Sequence, residues 1–178
     1  MPMRLFLSAF VLIGGVLFSS LGIGSNVEPE RAARRLSFVH THTGWALEVT
    51  YWHDGGYDPE SLREANEFLR DFRTKTAKEI DPELFDVLYE IKNTTGSRKP
   101  FQVISAYRSP ETNDMLRQEG RGVAKNSYHM RGQAIDIRLA DVPTNRLRDV
   151  ALNLGRGGVG YYEVSNFVHV DTGPVRRW

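Results

Sequence analysis

Apolar positions change their spacing several times along this chain, and each change marks an element. After Arg4, nineteen residues from Leu5 to Ile23 run without a charge, long enough to span a bilayer as a helix. Residues 1–25 are therefore expected to be a secretory signal peptide, with small residues at Gly22 and Gly24 for cleavage, or else an uncleaved N-terminal membrane anchor. Arg31, Arg34 and Arg35 follow soon after the run and blur the charge asymmetry that an anchor would prefer. Leu36–His40 and Leu47–Trp52 then cluster apolar residues around the turn-like Thr43-Gly44, as an edge β-hairpin does. Asp58-Pro59 opens a helical pattern carried by Leu62, Ala65, Phe68, Leu69 and Phe72, and Asp81-Pro82 opens another with Leu84, Phe85, Leu88 and Ile91. Beyond Pro100 short strands alternate with polar turns: Phe101–Ala106, Ala134–Leu139, Val159–Tyr162 and Phe167–Val170. Helices are expected at Glu111–Glu119 and Thr144–Leu154, the second capped by Thr144 and stopped by Gly155. The order does not alternate regularly enough for a doubly wound parallel sheet. The pattern predicts an α+β fold, with a small antiparallel sheet flanked by helices, in one domain over 26–178.

Composition narrows the chemistry. The 178 residues carry 23 Lys+Arg against 22 Asp+Glu, a balance without the broad basic field of a nucleic-acid binder. With no cysteine, disulfides, thiolate metal sites, a cysteine nucleophile and a lipid-bearing N-terminal cysteine are all excluded. Any metal would be held by His, Asp or Glu.

Candidate chemistry concentrates in two stretches. In Ser127-Tyr128-His129-Met130-Arg131-Gly132-Gln133-Ala134-Ile135-Asp136, strand alternation places Asp136 opposite Ile135 and Ile137, and Gly132 permits a turn that folds His129 back toward it. In Phe167-Val168-His169-Val170-Asp171, the valines face the core while His169 and Asp171 share the other face. His129, Asp136 and His169 together would leave one tetrahedral position on zinc open for a water made nucleophilic at neutral pH. Spacing alone leaves open whether these are ligands or ordinary polar residues at strand ends. A serine-hydrolase arrangement of Ser127, His129 and Asp136 is excluded by the two-residue spacing and by the lack of a nucleophile elbow.

The block Ser105-Ala106-Tyr107-Arg108-Ser109-Pro110, with Thr112-Asn113, Gly122-Val123-Ala124-Lys125, Ser127-Tyr128-His129, Gly132-Gln133-Ala134 and Asp136, resembles the D-alanyl-D-alanine metallopeptidase group. So does the C-terminal Gly157-Gly158-Val159-Gly160-Tyr161-Tyr162 with Asn166 to Pro174 and Trp178. The resemblance implies the wider lysostaphin, carboxypeptidase and hedgehog (LAS-type) fold and one Zn2+ per chain, held by His129, Asp136 and His169. It also implies a periplasmic murein endopeptidase that cuts cross-links between peptidoglycan stem peptides, at bonds joining meso-diaminopimelate. Arg108 matches an arginine that binds substrate or polarises its carbonyl, unless it only pairs with Glu111 or Asp114. Ser127 matches a position close to the site, where it binds substrate or merely fastens the turn.

Where relatives carry an acidic residue three positions before the last histidine, this chain has Asn166. Asp171 is the first candidate to replace it as general base, with a hydrogen bond to an imidazole as its other reading, and Glu163 is a lesser one. That departure keeps open a catalytically silent, zinc-stabilised module that binds cell-wall peptides. A D,D- or L,D-carboxypeptidase is the remaining alternative. His40, His42 and His53 lack a pattern tying them to the site; His53 with Asp54 suits a surface pair, and His42 would help only if the hairpin folds over the cleft. Trp45, Trp52, Tyr107, Tyr161 and Tyr162 serve either packing or a substrate groove. The protein is expected to be monomeric and, after signal cleavage, soluble.

Overall fold

The computed structural model describes residues 32–120 and 122–178. The expected signal or anchor over 1–25 lies outside the described residues. Among those described, no helix is long and apolar enough to cross a membrane.

The N-terminal hairpin forms as expected from β1 (Arg34–His40) and β2 (Ala46–His53), followed by a two-residue strand β3 (Gly56–Tyr57). Two helices come next. In α1 (Pro59–Phe68) and α2 (Pro82–Thr95), proline takes the first turn and Asp58 and Asp81 accept hydrogen bonds from backbone N–H groups of that turn. The chain continues through β4 (Phe101–Ser105), α3 (Pro110–Gln118), a 3-10 turn (Tyr128–Arg131), β5 (Ala134–Leu139), α4 (Thr144–Leu154), β6 (Gly158–Tyr162), β7 (Phe167–Asp171) and β8 (Arg176–Arg177). Two local expectations need correction. Helix α1 stops at Phe68, so Phe72 belongs to the loop that follows. Thr144 does not cap α4: Pro143 holds the cap position, and the Thr144 hydroxyl donates to Asn166 Oδ1 at 3.0 Å. Gly155, with φ of 61°, does terminate α4 in the left-handed conformation.

The sheet is neither small nor purely antiparallel. Eight strands run in the order β3-β2-β1-β4-β5-β7-β6-β8. The β1–β4 and β6–β8 pairs are parallel, and the other pairs are antiparallel. The hairpin is thus joined to the C-terminal strands by a parallel seam, Phe38 opposite Phe101.

Alternation gives this sheet one apolar face. Phe101, Val103, Ile135, Ile137, Val168 and Val170 are buried there with Leu36 and Phe38, against Leu84, Leu88 and Ile91 of α2 and Leu147 and Ala151 of α4. Each such side chain contributes about 1.5–3 kcal/mol by leaving water. Gln102, Asp136, Arg138 and His169 face the other way by alternation, and Ser105 joins them through a register shift after Val103. Across the central strands Asp136 lies opposite both Ser105 and His169, so the register itself gathers the site.

Candidate active site

His129 enters this polar face from the 3-10 turn. Ser127 caps that turn, its Oγ accepting from the His129 amide at 3.3 Å, and Gly132 closes it at φ of 72°. A Cβ on Gly132 would collide with the backbone carbonyl of Glu79, so the left-handed turn and the close approach both require glycine. Gly132 O in turn accepts from the Asp81 amide at 2.9 Å, tying the turn to the start of α2.

His129, Asp136 and His169 converge. His129 Nε2 lies 3.3 Å from Asp136 Oδ1 and 3.2 Å from His169 Nδ1, and His169 Nδ1 lies 2.9 Å from Asp136 Oδ1. The other nitrogen of each ring is already committed: His129 Nδ1–H donates to Ala106 O at 2.7 Å, and His169 Nε2–H donates to Asp171 Oδ2 at 2.9 Å. With those tautomers, three lone-pair acceptors are aimed at one point. Such a cluster suits positive charge at its centre, either a metal ion or a second proton on His169. Ligand atoms about 2.0–2.2 Å from zinc in tetrahedral geometry are separated by roughly the spacing found here, so the three residues fit a divalent ion without rearrangement. All three are buried.

The electrostatics follow from that crowding. Burial disfavours the charged His169 ring, yet its hydrogen bonds to Asp136 and Asp171 outweigh burial and push its pKa up to about 9. For His129 burial wins and the pKa is lowered, despite Asp136 alongside. Burial would raise the Asp136 carboxyl, but the two imidazoles hold it well below the usual carboxylate range.

Asp171 stands behind His169. Besides the ring, its carboxylate accepts from the amides of Gly158 at 3.1 Å and Gly173 at 2.9 Å, and from Arg176, whose Nη2 lies 2.6 Å from Oδ2. These donors keep it ionised against the cost of burial. Arg108 comes from the loop after β4, where its amide donates to His129 O. The residue is 8% exposed; its guanidinium lies 3.7 Å from Asp136 Oδ2 and donates to Ser105 Oγ at 3.4 Å, while its Nε has no partner. Its partner is thus Asp136 and not Glu111 or Asp114, which are exposed on α3. Burial lowers the Arg108 pKa, opposed by Asp136.

The cluster opens into a groove with two arms. One, of about 350 Å³, is walled by the 122–128 loop, Arg176 and Trp178; the other, of about 520 Å³, runs toward His42, Arg73 and Leu116. Arg108, Asp136, Tyr162 and Phe167 border both. Ser127 lines the first arm as well as fastening the turn. Asn166 sits in the β6–β7 turn at φ of 53° with its side chain held by Thr144, and Glu163 is exposed on the same turn; neither lines the groove.

Of the aromatic residues considered from sequence, Tyr162 reaches the groove. Trp45 stacks with Arg70, Trp52 packs edge-on to Tyr57, Tyr107 is buried, and Tyr161 lies under Arg148. His53 pairs with Asp54 and Asp58 at the surface, and His40 is buried among Phe68 and Phe72. Sequence reasoning missed Arg176, and it used Trp178 only in the resemblance, without a place at the site. Trp178 packs on Gly160, where a Cβ would meet its ring at 2.6 Å, and its ring centroid lies 5.2 Å from that of His169. The Gly173-Pro174 turn was the available signal, because it returns the chain beside β6.

Two imidazoles and one carboxylate facing an open groove make the donor set of a hydrolytic metal site, and comparison with known proteins gives the same class, a peptidase of the M15 group. Within it, the family model described as peptidoglycan L,D-endopeptidase MepK matches residues 28–178, and the chain belongs to that family. It is 48% identical over 145 residues to the peptidoglycan L,D-endopeptidase MepK of Escherichia coli (strain K12), covering 82% of this chain and 80% of that one. It is 46% identical over 146 residues to the probable peptidoglycan L,D-endopeptidase MepK of Haemophilus influenzae, covering 82% and 78%.

Proposed function

We propose that the protein is a zinc-dependent peptidoglycan endopeptidase that hydrolyses peptide cross-links between stem peptides on the periplasmic side of the cell envelope. The convergence of two imidazoles and a carboxylate on the floor of an open groove carries this reading, and the family membership agrees with it. When bound, zinc supplies a Lewis acid that polarises the scissile carbonyl and makes a water nucleophilic at neutral pH. The chain's own residues do the rest. His129 and His169 present fixed lone pairs because Ala106 O and Asp171 hold their other nitrogens. Arg108, with an unpartnered Nε beside Asp136, binds the substrate carbonyl or a stem-peptide carboxylate, and Ser127 contacts the peptide in the neighbouring arm. Asp171 acts through His169, since four donors already claim its carboxylate; the reading of it as the proton acceptor is the weaker of its two. One zinc per monomeric chain, a LAS-type fold, a single domain over 26–178, and a signal or anchor over 1–25 complete the reading.

Replacing His169 with Ala is expected to abolish both zinc binding and turnover. Zinc content and mass spectrometry of cross-linked muropeptide digests measure the two. Stoichiometric zinc in the wild type without cleavage of any muropeptide would instead favour a silent binding module.

A further inference from the structure

The arm that runs past Asp136 toward the N-terminal hairpin has a charge that the hydrolytic reading does not use. Arg73 lies on the loop after α1, where its amide donates to Asp71 Oδ1 at 2.9 Å. Its guanidinium stacks on Phe72 at 4.2 Å, and the His42 ring stacks on the same phenyl at 4.4 Å and 13°. Among the described residues the Arg73 side chain has no ion pair and no hydrogen bond; the nearby Asp71 is buried, its oxygens taken by the amides of Arg73 and Ser109. Arg108 borders the same arm with its buried Nε unpartnered, and the positive field of Arg73 disfavours the charge on both Arg108 and His42. The one carboxylate facing this arm, Asp136, belongs to the cation cluster. Arg73, pre-positioned by stacking and without an anion, thus faces a space of about 520 Å³ beside Arg108, whose Nε is unpartnered and whose Asp136 is shared with the cation cluster.

We propose that Arg73 is a specificity residue that binds a free carboxylate of the substrate peptide in this arm, on the side of the cation cluster opposite the 122–128 loop. The proposal rests on the peptidoglycan reading, whose stem peptides carry free carboxyl groups. Stacking on Phe72 lowers the entropy cost of holding the guanidinium in place, and its planar fork matches a carboxylate.

The test is a cycle on the metal-loaded protein, with wild type, Arg73→Gln and Arg73→Lys each given a stem-peptide monomer with its carboxyls free or amidated. Equilibrium binding is measured alongside turnover of the corresponding cross-linked dimer. Amidation is expected to weaken wild-type binding by about tenfold more than it weakens Arg73→Gln, the size of a lost charge-assisted hydrogen bond. Arg73→Lys should recover part of the difference, kcat should change little, and thermal unfolding should be unaltered. An equal amidation penalty in wild type and Arg73→Gln, or no penalty at all, overturns the proposal. A wild type that discriminates against the amidated monomer but cleaves no dimer keeps the carboxylate subsite and sinks the hydrolase reading.

Discussion

Asp171 shows how much a residue's role depends on which of its lone pairs are free. Alternation correctly put it on the His169 side of β7, but the partners that define it come from outside the strand: Gly158, Gly173 and the fork of Arg176. A carboxylate so placed orients an imidazole and strengthens it as a ligand, so Asp171→Asn is expected to weaken zinc binding by about 10–100-fold. Zinc titration against a competing chelator measures this. Unchanged affinity together with a turnover loss of several orders of magnitude would restore Asp171 as the proton acceptor. The three residues of the candidate cation cluster were legible because His129, Asp136 and His169 stand in recognisable stretches of sequence. The partner of Arg108 was not, because helix spacing brings Glu111 and Asp114 near in sequence while the chain turns the guanidinium inward to Asp136.

At the scale of elements, punctuation was more informative than periodicity. Asp58-Pro59, Asp81-Pro82 and Ser109-Pro110 each start a helix, since the capping side chain and the missing proline N–H both suit its first turn. The apolar stripe of α1 misled at its end, as Phe72 continues the helical spacing but stacks with His42 and Arg73 after the helix has stopped. Strands β3 and β8, of two residues each, are too short to carry a pattern. The 3-10 turn is short as well, yet it positions a ligand, and its integrity depends on Gly132. Gly132→Ala is expected to destabilise the fold by at least about 2 kcal/mol through the unfavourable φ and the clash with Glu79 O. Chemical denaturation measures the loss, and zinc affinity should fall with it as His129 is displaced. A loss of no more than about 0.5 kcal/mol, the size of an ordinary surface change, would show that the turn relaxes freely.

For the whole molecule, the helix-bearing apolar face and the polar ligand-bearing face follow from alternation, but the size and mixed sense of the sheet do not. Local spacing cannot say that β1 will lie parallel to β4 after two helices have intervened. One face holds the core and the other holds three acceptors that repel one another unless a cation or proton sits among them. Metal should therefore stabilise the native state over the unfolded chain. With free zinc about a thousandfold above its Kd the gain is about 4 kcal/mol, so chelation is expected to lower Tm by roughly 10 °C. Calorimetry with and without chelator checks this, and His169→Ala should show no such difference. The candidate cluster is also built from the 3-10 turn, β5 and β7, with no member from β1, β2 or β3 among the described residues. The parallel seam, by contrast, must close Phe38 onto Phe101, far apart along the chain. Loop closure makes that the slower contact to nucleate. In a refolding chain the cation can then be captured once β5 and β7 have paired, so that it acts as a template on which the N-terminal hairpin docks last.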